Sequence, residues 1–135
     1  MNSQNNFEKQ FCTYDISVAL REIGFSEECL GCYDPEIGRL VLGDLEDYFN
    51  YNIPENLAYA PLYQQAIDWF REKHSLIVDI TQSTFNEISC IIKTMTQTDD
   101  VDYYLIKNEF YIDTDSYEDA REQAILKAIE LIKEK

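Results

Sequence analysis

Ser116 and Asp119 fix the start of a helix. Ser116-x-x-Asp119 is a capping box of the Ser-x-x-acid kind, and Glu118 and Asp119 place negative charge in the first turn, where the helix dipole is positive. Tyr117, Ala120, Ala124, Ile125, Ala128, Ile129 and Ile132 follow at helical spacing as one apolar stripe. Upstream the period changes to two. Ile88, Cys90 and Ile92 alternate with Glu87, Ser89, Ile91 and Lys93, which predicts a strand over 85–95. Residues 76–81 (Leu-Ile-Val-Asp-Ile-Thr) read as its partner, with Gln82-Ser83-Thr84 suited to the hairpin turn. Residues 101–112 predict a third extended region after an Asp99-Asp100 turn, with a bend at Lys107-Asn108-Glu109.

A central helix is predicted from Pro61 to about His74, with Leu62, Ala66, Trp69 and Phe70 on one face and Tyr63 and Ile67 flanking. Residues 1–10 read as a short flexible leader. From Thr13 another helix carries Ile16, Ala19, Leu20 and Ile23, and Gly24 stops it. After an irregular stretch over 25–33, Asp34-Pro35-Glu36-Ile37-Gly38 has the composition of a turn between two short extended segments, the second being Leu40-Val41-Leu42. Residues 44–60 are acidic, tyrosine-rich and without clear period, and a connection of that length is expected to pack or to carry function. The order predicts an α+β fold: a small antiparallel sheet packed against about three helices, as a single domain over 11–135.

At 135 residues a chain buries roughly two-thirds of its unfolded surface, enough for a hydrophobic core. With 45% hydrophobic and 13% aromatic residues it is too apolar for a disordered chain. Its charge is extreme: 26 acids against 11 bases give −15. Such a chain repels phosphate backbones and anionic lipid, and its Lys and Arg are scattered, so no direct nucleic-acid or membrane partner is expected. The polar stretch over 1–10 has no apolar signal-peptide core, and no apolar run reaches the ~20 residues that span a bilayer. The expectation is a cytoplasmic protein whose Cys12, Cys29, Cys32 and Cys90 are thiols.

Catalytic signatures are incomplete. Cys29-Leu30-Gly31-Cys32 supplies half of a tetrahedral zinc site, and Cys12, His74 or Cys90 would have to complete it. A redox role would need the pair at a helix N-terminus after a strand. His74 is the only histidine, which restricts acid–base schemes; at the end of a helix its imidazolium would serve the last carbonyls. Cys90 falls on the apolar parity of its strand, where core packing accounts for it. Asp99-Asp100-x-Asp102 and Asp113-x-Asp115 resemble calcium loops, yet counting twelve from Asp100 and Asp113 reaches Tyr111 and Ala124 instead of glutamate. No glycine-rich phosphate loop is present. No catalytic, metal or cofactor-binding residue is assigned, no cofactor is expected, and the chain is read as a non-enzyme.

What remains is the distribution of charge. Between Gln97 and Asp119 eight acids face Lys107 alone; between Asp34 and Tyr59 six acids face Arg39. Tyr48, Tyr51 and Tyr59 lie in one stretch and Tyr103, Tyr104, Tyr111 and Tyr117 in the other. Spaced carboxylates imitate a phosphate backbone for a protein with a basic groove, and tyrosines are rigid anchors. The residues selected as a partner-binding patch are Asp99, Asp100, Asp102, Tyr103, Asp113 and Asp115; the alternative is a solvated acidic surface that serves only solubility.

Three segments, FCTYDISVALREIGFSEECLGCYD, APLYQQAIDWFREKH and SYEDAREQAILKAIELI, together resemble a family of small uncharacterised proteins of bacteriophages, prophages and other mobile elements. The resemblance implies a mobile-element context in a bacterial host cell and brings no activity with it. Where the family pattern has Cys-x-Gly followed by two aromatics, Cys32 stands in the first aromatic place, which weakens a metal reading of Cys29 and Cys32. The resulting expectation is a non-enzymatic binder of a host or phage protein. Its concrete form is an inhibitor of a nucleic-acid-handling defence, of the anti-CRISPR or anti-restriction type, whose partner is a basic nuclease or its guide complex. The alternatives are an accessory or structural phage module, including a homodimer, and a small zinc-binding protein.

Overall fold

Thr13 opens the first helix as the sequence requires: its hydroxyl accepts from the Ile16 N–H at 3.3 Å, and α1 runs Tyr14–Glu22. Gly24, at φ 102, carries the chain out of it. This computed structural model describes residues 7–82, 88–97, 104–114 and 116–134, with 95–97, 104–109 and 112 described by backbone alone. The chain divides into two compact units, Met1–Gln64 and Gln65–Lys135. Each has its own three-stranded antiparallel sheet. The architecture is α+β, and the strands expected to form one small sheet are shared between two.

In the first unit β1 (Gly31–Tyr33) and β2 (Leu40–Leu42) form a hairpin, and β3 (Ala58–Ala60) pairs on the other side of β1, giving the order β2-β1-β3. The predicted Asp34–Gly38 turn joins the hairpin, with the Gly38 N–H donating to Asp34 O at 2.7 Å and Gly38 at φ 67. One face of the sheet carries Cys32, Val41 and Tyr59, packed with Leu57 and with Leu45 and Phe49 from in and beside α2 (Leu45–Tyr48). The other carries Tyr33 and Ala60, packed with Phe11, Leu40 and Leu62. The aperiodic connection over 44–60 thus contains a helix and a strand, each too short to show a period in sequence. Residues 7–10, read as part of a leader, form a turn: Gln10 N–H donates to Phe7 O and Phe11 N–H to Glu8 O, both at 3.1 Å, and the Phe7 ring meets Phe11 edge-on at 5.5 Å.

Helix α3 (Tyr63–His74) begins two residues after the proline expected to open it. Residues 61–62 are held extended instead: Pro61 O accepts from the Cys12 N–H, Tyr63 N–H donates to Gln10 O, and Leu62 bridges Phe11. Ala66, Trp69 and Phe70 are buried as predicted.

The second sheet is β4 (Leu76–Gln82), β5 (Ile88–Gln97) and β6 (Tyr104–Thr114), in that order. Ile88, Cys90 and Ile92 are buried, so the alternation read from sequence sets the core face. The predicted bend at Lys107 takes the form of a β-bulge: Thr94 pairs Asn108 and Met95 pairs Ile106, leaving Lys107 as the extra residue of an otherwise continuous strand. Of the predicted hairpin turn Gln82 ends β4, and residues 83–84 lie outside the described residues. Helix α4 (Tyr117–Lys133) starts at the predicted cap, Ser116 Oγ accepting from the Asp119 N–H at 3.1 Å. It buries Ala120, Ala124, Ile125, Ala128 and Ile129 and lies along the sheet. The Lys127 ammonium, 5.0 Å from the Phe110 ring, puts it on the Val78–Ile92–Phe110 face. No described helix is long and apolar enough to cross a membrane.

Candidate functional site

Asp34 organises the surface of the first unit. Its Oδ1 accepts the Glu36 N–H at 3.0 Å, closing the hairpin turn, and its Oδ2 accepts the Tyr48 hydroxyl at 3.1 Å. Turn and helix α2 are thereby tied together. The Tyr48 phenol is held above the usual tyrosine range because it donates to a carboxylate that would repel a phenolate.

Beyond Tyr48 the chain makes a Schellman cap, with Tyr51 N–H donating to Glu46 O at 2.7 Å and Asn50 N–H to Asp47 O at 3.3 Å. Asn50 at φ 52 and Tyr51 at φ 64 are both left-handed. Asparagine adopts that region readily; a tyrosine there costs about 1–2 kcal/mol. The consequence is an outward Tyr51, 73% exposed. Leu30 (67% exposed), Ile37 (63% exposed), Leu42, Tyr48 and Ile53 are exposed within the same segment of chain. Around them Glu36, Asp44, Glu46, Asp47 and Glu55 are exposed carboxylates and Arg39 an exposed base. The segment thus displays large apolar side chains set among carboxylates, one of them on a strained backbone.

Of the patch chosen from sequence, Asp113 is placed. It is exposed on β6 opposite Ser89, whose hydroxyl lies 3.1 Å from that of Thr81. Tyr111, two residues back on the same face, is 66% exposed and stands in one row with Ile91 and Asp79. Asp99, Asp100, Asp102, Tyr103 and Asp115 lie outside the described residues. The surface with the anticipated chemistry that the described residues do display is the other acidic stretch, with one subtraction: Tyr59 is half-buried against Cys32 and Val41. Sequence reasoning passed over Leu30, Ile37, Leu42 and Ile53, since an isolated aliphatic residue carries no mark of exposure.

The groups weighed for chemistry sit in packing roles. Cys32 is buried, and its thiol is pushed up to about 11 by burial and by the Asp34 charge. Cys29 is half-buried and donates to Glu27 O at 3.3 Å. Cys90 lies in the strand core, its thiol pushed up to about 11 by burial and by Asp79. His74 meets the Trp69 ring edge-on at 4.8 Å. Among the described residues no group of three or more His, Cys, Asp and Glu side chains is placed to hold a metal ion.

Comparison of the chain with protein-family models, with curated proteins and with solved structures finds no match.

Proposed function

We propose that this chain is a non-enzymatic, mobile-element protein that works by binding another protein in a bacterial host cell. The observation that carries the reading is the first unit's surface, where Tyr48 and the strained, exposed Tyr51 stand among Asp44, Glu46 and Asp47. A net charge of −15 steers such a surface toward basic partners and away from nucleic acid itself. The partner class is a basic nucleic-acid-handling defence protein, a CRISPR effector or a restriction enzyme, whose groove the carboxylates occupy in place of phosphates. The sequence carries the same chemistry a second time in Asp99, Asp100, Asp102, Tyr103, Asp113 and Asp115, of which Asp113 is among the described residues.

The test is an affinity pull-down from host lysate with and without nuclease, followed by inhibition assays on the recovered partner. Two reversal variants are compared: Glu36→Lys, Glu46→Lys, Asp47→Lys and Glu55→Lys in one, and Asp99→Lys, Asp100→Lys, Asp102→Lys, Asp113→Lys and Asp115→Lys in the other. Loss of inhibition in either names the working surface; unchanged inhibition in both overturns the acidic mechanism. A second reading, an accessory module that assembles with its own copies, is favoured by the exposed Leu30, Ile37 and Leu42. Concentration-dependent dimers in sedimentation, with no host partner, would establish it.

A further inference from the structure

Strand β2 is the edge of its sheet. Two hydrogen bonds frame its pairing with β1: Asp34 N–H to Arg39 O at 3.0 Å and Gly43 N–H to Leu30 O at 3.4 Å. In an antiparallel ladder inward and outward residues alternate. Arg39, Val41 and Gly43 therefore direct their backbone groups at β1, and the N–H and C=O of Leu40 and Leu42 point away from it. Among the described residues those outward groups have no backbone partner. The opposite edge differs: α1 lies along β3, and Ala58 and Ala60 are buried.

The side chains leave this edge open. Gly31 has no Cβ, and both leucines lean over it: Leu42 Cδ2 lies 2.9 Å, and Leu40 Cδ1 3.1 Å, from the point a Cβ would occupy. Val41 turns to the opposite face, toward Leu57 and the α2 side chains. Charge then selects the occupant. In the chain Asp34 and Glu36 precede β2 and Asp44, Glu46 and Asp47 follow it, with Arg39 the one base among them. A second copy pairing antiparallel would set one acidic end against the other, which disfavours it.

We propose that β2 docks an extended, Lys- or Arg-bearing segment of the partner protein, which adds to the first sheet as a fourth strand along Leu40–Leu42. The outward backbone groups supply the ladder, Leu40 and Leu42 above Gly31 an apolar seat, and the flanking carboxylates the preference for basic side chains. The proposal deepens the protein-binding reading above and rests on it for the existence of a partner.

The probe is an alternating Arg–Val octapeptide added to the full-length 15N-labelled chain, with a Glu–Val octapeptide and an Arg–Val octapeptide N-methylated at alternate residues as controls. Hydrogen exchange at the Leu40 and Leu42 amides is expected to slow about tenfold or more with the Arg–Val peptide and with neither control. Leu42→Pro removes an outward N–H that has no backbone partner among the described residues, and is expected to abolish the protection read at Leu40. Should this variant unfold, Glu46→Lys with Asp47→Lys, which leaves the strand intact, is expected to weaken peptide binding about tenfold at low salt. Unchanged exchange at Leu40 and Leu42 overturns the proposal, as does protection that grows with protein concentration in the absence of peptide. Failure of the peptide alongside a host partner still lost on acid reversal overturns the docking edge and leaves the protein-binding reading standing. A docked peptide with no acid-dependent host partner upholds the edge and removes that reading.

Discussion

The Tyr48 hydroxyl donates to Asp34 Oδ2 across 3.1 Å, joining the last residue of α2 to the first residue of the hairpin turn. A phenolate at this position would face a carboxylate, so Tyr48 keeps its proton above the usual tyrosine range. Asp34→Asn keeps an acceptor and removes the charge. It is expected to bring the Tyr48 titration down toward its ordinary value, read as phenolate absorbance with Tyr48→Phe as the difference standard. An unmoved midpoint would mean that the bond is not made in solution.

Tyr33 titrates higher for a different reason. Burial is the main cause, followed by Cys12 and Glu8, and together they hold its pKa up to about 12 against an ordinary 10.0. A phenol raised in the folded state contributes stability that is present below the unfolded pKa and lost as pH rises through the folded one. Denaturation midpoints are therefore expected to fall between about pH 10 and 12. Tyr33→Phe is expected to flatten that fall. It should also lower stability at neutral pH by about 1 kcal/mol, since Cys12 O would lose its 2.7 Å partner and keep the Ser17 hydroxyl at 3.4 Å.

The four thiols separate by access. Cys12, Cys32 and Cys90 are fully buried, and the last two are pushed up to about 11, so they stay protonated and shielded at ordinary pH. Cys29 is half-buried in the loop before β1. A chromogenic disulfide reagent at pH 8 is expected to find one fast thiol in the native protein and four in denaturant. A Cys32 that reacts as fast as Cys29 would mean that the Cys32–Val41–Leu57 cluster is open in solution.

What the sequence made legible was local. The Ser116 cap, the helix start at Thr13, the Asp-Pro-Glu-Ile-Gly turn and the alternation of Ile88, Cys90 and Ile92 each carry their structure within a few residues, and each is found where it was expected. The start of α3 was less accessible, because it depends on hydrogen bonds from Cys12 and to Gln10 about fifty residues away. The division of strands into two sheets was hidden for a related cause. Alternation reports which face of a strand is buried and says nothing of which strand lies beside it. Helix α2 and β3 escaped because four and three residues complete no diagnostic period. The acidic stretches were visible by counting; the exposed Leu30, Ile37 and Ile53 between the carboxylates required the fold.

The C-terminal helix offers a direct comparison of cap and core. Ser116→Ala removes the bond to the Asp119 N–H and is expected to lower stability by about 1 kcal/mol. Ala124→Leu inserts three carbons where no surface is exposed and is expected to cost about 1–3 kcal/mol or more through overpacking. Urea midpoints at constant slope would rank them, and a tolerated Ala124→Leu would contradict close packing of α4 on its sheet.

Tyr51 separates stability from binding. Its left-handed backbone, φ 64, is strained for a tyrosine, and its ring, 73% exposed, recovers little by packing. Tyr51→Gly relieves about 1–2 kcal/mol of strain. It also frees the unfolded chain, which offsets roughly 0.5–1 kcal/mol of that gain. The net expectation is a stability equal to or slightly above that of the natural chain, measured by thermal unfolding. Binding to the recovered partner should fall in the same variant, because the anchor is gone. Tyr51→Phe, which keeps both strain and ring, should leave both quantities near their original values. A Tyr51→Gly protein that is more stable and binds as well as before would show that the strain serves something other than recognition; one that is markedly less stable would show that the ring is held by contacts in the folded protein.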